Sequence, residues 1–300
     1  AAAMNVPKLL RTALFSVFAL LLAGSFSVVQ AQDATVTVDA GAGETINEAL
    51  TRLDNNLTAE GETSGQLIVP ASDYRVGTAG QVNLAVDGSD APLDNVQTLT
   101  VAAEESGGTS EAVLESLTFD LEADNNTNTS LREVSIVSGD GSGFVRLSST
   151  DNALVFRGNP GTDPATAATL NLGSDDALQL EGGATVVRNG FATFADGSGD
   201  IQYGSNDSGV PSLTYELEGQ NITASAEFPS SGQVATLDVE NSVSASDPAP
   251  GITTPEGLEV TGTFTLTDTE SLVATVNGDF TVPAGIDAGE STISVAGDLT

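Results

Sequence analysis

The 300-residue chain has no cysteine, no histidine and no tryptophan, and it carries only three tyrosines and eight basic residues. Each shortage closes off some chemistry. Without histidine there is no Ser-His-Asp triad, no imidazole general base and no histidine-ligated metal. Without cysteine there is no disulfide, thiolate nucleophile, thiolate zinc site, iron–sulfur cluster or lipidated N-terminal cysteine. Phosphate recognition needs clustered Lys and Arg. With 42 acidic residues against eight basic ones and a net charge of −34, neither nucleic acid nor an anionic membrane surface is an expected partner.

Residues 1–31 read as a secretory signal peptide. Lys8 and Arg11 precede the apolar stretch Ala13–Ala23, and a small-residue cleavage signal, Val29-Gln30-Ala31, follows before Gln32-Asp33. The stretch is well short of the ~20 apolar residues a spanning helix needs, so the mature chain is expected to be secreted or displayed at the cell surface without membrane insertion. Beyond residue 31 there is no lysine, and the six cations are Arg52, Arg75, Arg132, Arg146, Arg157 and Arg188. Such an acidic, lysine-free chain resembles the secreted proteins of extreme halophiles. In molar salt the Debye length falls to about 3 Å, which screens self-repulsion while carboxylates keep the surface hydrated.

The hydropathy pattern then sets a class. A short alternating strand, Ala34–Val38, leads through a Gly-rich turn at Asp39–Gly43 into an amphipathic helix over Thr45–Leu53. Ile46, Ala49, Leu50 and Leu53 recur there at i, i+3, i+4 and i+7. An apolar run, Leu67-Ile68-Val69-Pro70, and the segment Ser72-Asp73-Tyr74-Arg75-Val76 follow. Farther on, the alternating runs Thr98–Val101, Ser116–Leu121, Glu133–Val137, Phe144–Leu147, Ala153–Phe156, Thr169–Leu172 and Ala177–Leu180 read as half-buried strands. Gly, Asn, Asp, Ser and Pro clusters between them serve as turns. One further helical turn is allowed at Ser110–Leu114; otherwise the class is all-β.

This opening, with a helix placed before a first "apolar strand, Pro, turn, Tyr" unit, resembles that of the pectin-lyase-like right-handed parallel β-helix proteins. The resemblance implies a β-solenoid with a short N-terminal capping helix. Near the C-terminus Val260-Thr261-Gly262-Thr263-Phe264-Thr265 recurs as Val276-Asn277-Gly278-Asp279-Phe280-Thr281 and as Val295-Ala296-Gly297-Asp298-Leu299-Thr300. The shared form, V-x-G-x-[FL]-T, is similar to the repeats of long surface proteins of Gram-negative bacteria, adhesins among them. Strand alternation would place Val, Gly and Phe or Leu on one face. The domain reading is thus a signal peptide at 1–31, a β-helix with its cap at 32–246, a Pro-rich loop or linker at 247–257, and continuing repeats at 258–300. The last repeat copy is expected to continue into a longer protein. A β-sandwich array is the alternative fold, since alternation alone does not separate the two; sandwich repeats would run ~80–100 residues.

The expected function is non-enzymatic: an adhesin-like or matrix protein of the cell surface, with an extracellular glycan or cell-surface partner. The alternative is a calcium-assisted lyase or glycan-binding protein acting on an acidic polysaccharide. Asp175-Asp176 is the acidic pair that such an enzyme would use, and Arg146, Arg157 and Arg188 could stack into a uronate clamp. Opposing both roles, turn aspartates in so acidic a chain read first as solvated surface, and the arginines as exposed cations paired with neighbouring acids. No catalytic residue is assigned. Asp196, Ser198 and Asp200 space oxygen ligands as calcium loops do, which makes calcium the one cofactor to consider. Asp140-Gly141-Ser142-Gly143 and Asn206-Asp207-Ser208-Gly209 are chemically similar, and none of the three completes an EF-hand loop. The sequons at Asn56, Asn125, Asn128 and Asn221 read as accidental matches. Tyr74, Tyr203 and Tyr215 are too sparse for an aromatic sugar platform, and Tyr74 is expected to pack over the first solenoid turn.

Overall fold

A computed structural model describes residues 34–75, 81–83, 93, 96–120, 131–149, 152–159, 168–243, 249–255, 257–268, 272–282, 286–287, 289 and 291–300. Residues 1–31, read above as a signal peptide, the sequons at Asn125 and Asn128, and Pro248 of the Pro-rich stretch lie outside the described residues.

Among the described residues the strands fall into five sheets, and every pairing within them is parallel. The first sheet runs Ala34–Thr37, Ser64–Pro70, Thr98–Glu104, Glu133–Ser138, Ala168–Leu172 and Ala192–Phe194. The second runs Ser72–Asp73, Glu111–Leu114, Phe144–Leu147, Leu178–Leu180 and Gln202–Tyr203. The third has eight strands: Gln81–Asn83, Ser116–Asp120, Ala153–Arg157, Thr185–Asn189, Ser212–Glu216, Thr236–Asn241, Phe264–Asp268 and Ile286–Asp287. From Ser64 the chain visits first, second and third sheet in turn, so that strands of successive circuits lie side by side. After Leu217 the first two sheets give way to a fourth (Ile222–Thr223, Gly251–Thr254, Val273–Val276, Thr292–Val295) and a fifth (Gln233–Val234, Leu258–Val260, Phe280–Thr281). The visiting order stays the same, and the third sheet continues unbroken.

Alternation explains which side chains turn inward. In the third sheet Leu117, Leu154, Val186, Leu213, Leu237 and Phe264 share one buried column through the strand register. Two residues along, Phe119, Phe156, Arg188, Tyr215, Val239 and Leu266 share another. Burying such side chains contributes about 1.5–3 kcal/mol each before chain entropy is set against it. Phe156 meets Phe119 and Phe194 edge-on, with ring centroids 6.4 and 6.1 Å apart, an arrangement favourable beyond area burial.

The helix, α1, spans Ile46–Glu60 and so runs a further two turns past the Leu53 expected from the pattern. Thr45 caps it: its hydroxyl accepts from the Glu48 N–H while the Glu48 carboxylate accepts from the Thr45 N–H. Asn55 and Asn56 look like a helix stop, but Leu57, four residues after Leu53, is fully buried and carries the helix on to a left-handed Gly61 cap. Ile46 and Leu50 face the same interior as Leu67, Leu99, Leu114 and Leu117, around a residual void of about 10 Å³. The helix thus lies over the interior of the first circuits. Gly65 makes the close approach feasible, because a Cβ there would sit 2.9 Å from Leu57 Cδ1.

Two local expectations are corrected. The helical turn allowed at Ser110–Leu114 is a strand, Glu111–Leu114, whose alternating Ala112 and Leu114 are buried against the core. The V-x-G-x-[FL]-T motif does not lie along one strand face. Val276 ends a fourth-sheet strand, Gly278 lies in the corner, and Phe280 opens a fifth-sheet strand. The first two copies are strand–corner–strand units, and the third runs from the strand Thr292–Val295 through a corner to an isolated bridge at Leu299. The last two copies stack directly, with Val276 beside Val295 and Phe280 bridged to Leu299. The first copy turns a different corner, from the fifth sheet at Val260 into the third at Phe264.

Candidate functional site

The corner between the first and second sheets gathers the acidic turns that the sequence brought forward as ligand candidates. Asp140-Gly141-Ser142-Gly143 turns this corner in one circuit, and Asp196-Gly197-Ser198-Gly199 turns it two circuits later, with Ser174-Asp175-Asp176 between them. The two strings are alike for a backbone reason. Gly141 and Gly197 hold φ of 89° and 75°, the left-handed region in which a side chain is strained. Gly143 lies so close to the preceding circuit that a Cβ would stand 2.1 Å from the Ala103 carbonyl oxygen, and at Gly199 one would stand 2.2 Å from the Ser174 carbonyl carbon.

The polar side chains here hold the turns together. Asp140 Oδ1 accepts from the N–H groups of Ser142 (3.1 Å) and Gly143 (3.0 Å), and Oδ2 from that of Glu105 (2.5 Å). These donors, Ser142 and Glu105 foremost, keep its carboxyl below the usual carboxylate range. Ser198 Oγ accepts from the Leu172 N–H at 2.9 Å and donates to the Gly199 carbonyl at 3.1 Å. Asp175 Oδ1 accepts from the Asp200 N–H at 3.1 Å. Asp200 itself is raised above the ordinary aspartate range, first by desolvation and then by the charges of Asp175, Asp207 and Glu227. Asp196, Ser198 and Asp200 together border a notch of about 460 Å³ with Ser225, Phe228 and Pro229. Among the described residues no group of three or more carboxylates comes together as a metal cage. Asn206-Asp207-Ser208-Gly209 lies at the next corner, where Asp207 Oδ1 accepts from the Tyr203 N–H.

The arginines proposed for a uronate clamp are engaged elsewhere. Arg146 spans Glu111 at 2.9 Å and Glu181 at 3.1 Å. Arg157 spans Asp120 at 2.8 Å and Glu216 at 2.6 Å, and those partners, Glu216 first, raise its pKa despite the opposing effect of burial. Arg188 is not on the surface: it is 5% exposed and pairs at 2.6 Å with Glu227, which is fully buried. Arg52 likewise pairs with Glu44, and Arg75 with Asp73. The paired-cation reading thus holds for Arg146 and Arg157, while Arg188 fits neither the exposed pair nor the clamp. Tyr74 is buried and donates to the Pro70 carbonyl at 2.7 Å, and burial pushes its phenol up to about 12.

The buried pair went unread in the sequence, although a signal for it exists. In Thr185-Val186-Val187-Arg188-Asn189, period-two alternation puts Arg188 on the same inward face as Val186. A charge on an inward phase requires a buried counter-charge. No known protein family, curated protein or solved structure matches this chain. Among the described residues no helix is long and apolar enough to cross a membrane.

Proposed function

We propose that the chain is a secreted or cell-surface, non-enzymatic β-solenoid: a right-handed parallel β-helix that presents long polar sheet faces as an adhesin-like or matrix protein. The observation that carries this reading is the engagement of the chemistry-bearing side chains. The turn aspartates Asp140 and Asp175 accept backbone N–H groups, and Arg146 and Arg157 are each held between two carboxylates. One outward column of the third sheet instead carries hydroxyls side by side, Thr185, Ser212 and Thr236, the last two 2.9 Å apart and suited to shallow contact. The surplus of carboxylates over arginines supports a salt-rich habitat and partners that are neutral, cationic or reached through hydrated cations.

The decisive experiment combines protease shaving of intact cells with incubation of the purified chain on pectate and alginate, with calcium at high salt. Surface exposure without release of unsaturated uronate is expected; uronate release would overturn the non-enzymatic reading. The halophilic element is tested separately. The melting temperature should rise between about 0.1 M and molar sodium chloride, as screening shrinks the Debye length from ~10 to ~3 Å. A flat or falling response removes that element.

A further inference from the structure

Between the fifth and sixth circuits, two of the three strand ladders stop. The first sheet ends at Ala192–Phe194 and the second at Gln202–Tyr203; the fourth begins at Ile222–Thr223 and the fifth at Gln233–Val234. Only the third sheet crosses in full register, Ser212–Glu216 against Thr236–Glu240. On the interrupted sides, side chains take over the bridging. Arg188 Nε donates to the Ala192 carbonyl (2.9 Å) before the gap, and its Nη1 donates to the Thr223 carbonyl (3.2 Å) and to Glu227 Oε1 (2.6 Å) beyond it. The guanidinium also sits 5.6 Å from the Phe194 ring centroid.

Glu227 is fixed in turn. Its Oε2 accepts from the N–H and hydroxyl of Ser225, and its main-chain carbonyl accepts from the Tyr203 hydroxyl at 2.7 Å. Ala226, Glu227, Phe228 and Pro229 are buried in succession, so this segment folds over the ends of the two interrupted sheets. One main-chain bond, from the Ile201 N–H to the Ala226 carbonyl (2.9 Å), and the Ser230 hydroxyl donating to Asp207 complete the crossing. Arg188 occupies the inward column otherwise filled by Phe119, Phe156, Tyr215, Val239 and Leu266, where a well-packed apolar residue would serve burial equally well or better.

We infer that the Arg188–Glu227 pair is a coupling device: it fastens the later circuits to the earlier ones across a joint where two of three sheets are interrupted, and without it the later circuits open far more readily while the earlier ones stay closed. Removing one partner leaves the other charged and buried at the joint, whereas the strand ladders on either side remain intact.

Native-state hydrogen exchange with mass spectrometry on the full chain tests this. In Arg188→Met and Glu227→Gln, amides of Ile222–Thr223, Gly251–Thr254, Leu258–Val260 and Val273–Val276 should lose protection by about 100-fold or more, while those of Thr98–Glu104 and Glu133–Ser138 change less than about threefold. The double variant Arg188→Met/Glu227→Leu should recover most of the loss, since it leaves no unpaired charge. Uniform loss across both halves, or a change below threefold everywhere, overturns the inference. The unsubstituted chain provides an independent reading should the single variants not fold. In rising urea its exchange should resolve two cooperative units divided between the strands Ser212–Glu216 and Thr236–Asn241; a single merged unit overturns the inference as well.

Discussion

The early and late circuits are built on one visiting order but differ in the number of residues each takes. In the early part Arg146 bonds to Glu111 35 residues before it and to Glu181 35 residues after it, so one circuit takes about that many residues. Ser212 and Thr236 of adjacent circuits are 24 apart, and Thr281 and Thr300 only 19. The early circuits hold a helix-covered interior with three edge-packed phenylalanines; among the described residues the late ones hold the edge-packed pair Phe264–Phe280 at 5.3 Å. Thr292–Val295 alternates exposed and half-buried residues where earlier strands alternate half-buried and buried ones. Shortening a circuit leaves no room for long corners, so the late sequence converges on a visible motif.

The sharpest way to break this comparison is to cut the same cavity into both interiors. Phe156→Ala removes a ring packed against Phe119 and Phe194 on both sides, and it should cost about 3–5 kcal/mol in urea unfolding monitored by circular dichroism. Phe280→Ala empties an equally buried position, but among the described residues only Phe264 meets it edge-on, and half-exposed strands lie beyond. Its cost should fall at or below the lower end of that range. Equal costs would mean that the late circuits are packed as tightly as the early ones.

Next in size is the close stacking at the acidic corner. Gly199→Ala places a Cβ against the Ser174 and Asp175 backbone, which has no rotamer to yield, and should cost about 1–3 kcal/mol. An alanine at Gly197 meets no neighbouring atom within 4 Å and is strained only by its φ of 75°, at roughly 1–2 kcal/mol. If Gly199→Ala proves the milder of the two, backbone conformation and not stacking is what selects glycine at this corner.

This glycine pair also shows what was legible. Period-two alternation located the strands closely: Phe144–Leu147 agrees to the residue, and Ala153–Phe156 needs only Arg157 added. Turn chemistry located the corners. Circuit assignment was less accessible, because V-x-G-x-[FL]-T marks a corner and more than one corner of the circuit can wear it. The acidic turns were found, but spacing alone does not tell which atoms a carboxylate meets, and Asp140 meets three backbone donors. The joint was hidden because Arg188 and Glu227 are 39 residues apart and joined only by the fold.

A smaller effect is expected where the helix begins. Thr45→Ala removes the hydroxyl that accepts from Glu48 N–H and releases the reciprocal carboxylate, at a cost of about 1 kcal/mol. Because α1 lies over the early interior, exchange of the amides in Ser64–Pro70 should quicken while that of Gly251–Thr254 does not. Equal quickening in both would join the early and late circuits into one cooperative unit and weaken the contrast between them.

The smallest effect sharpens the contrast between the two kinds of arginine. Arg146 sits on the outer surface, one-third exposed, between two half-exposed glutamates. Those charges keep most of their hydration, and water and salt screen the pair, so Arg146→Gln should cost less than about 1 kcal/mol, and less still in molar salt. The same loss at Arg188 leaves Glu227 without its counter-ion in an interior that salt does not reach. The ratio between the two costs therefore measures how completely the joint excludes water. A cost for Arg146→Gln that matches that for Arg188→Met would mean that the bridge between Glu111 and Glu181 couples circuits of the second sheet as firmly as the buried pair couples the two halves.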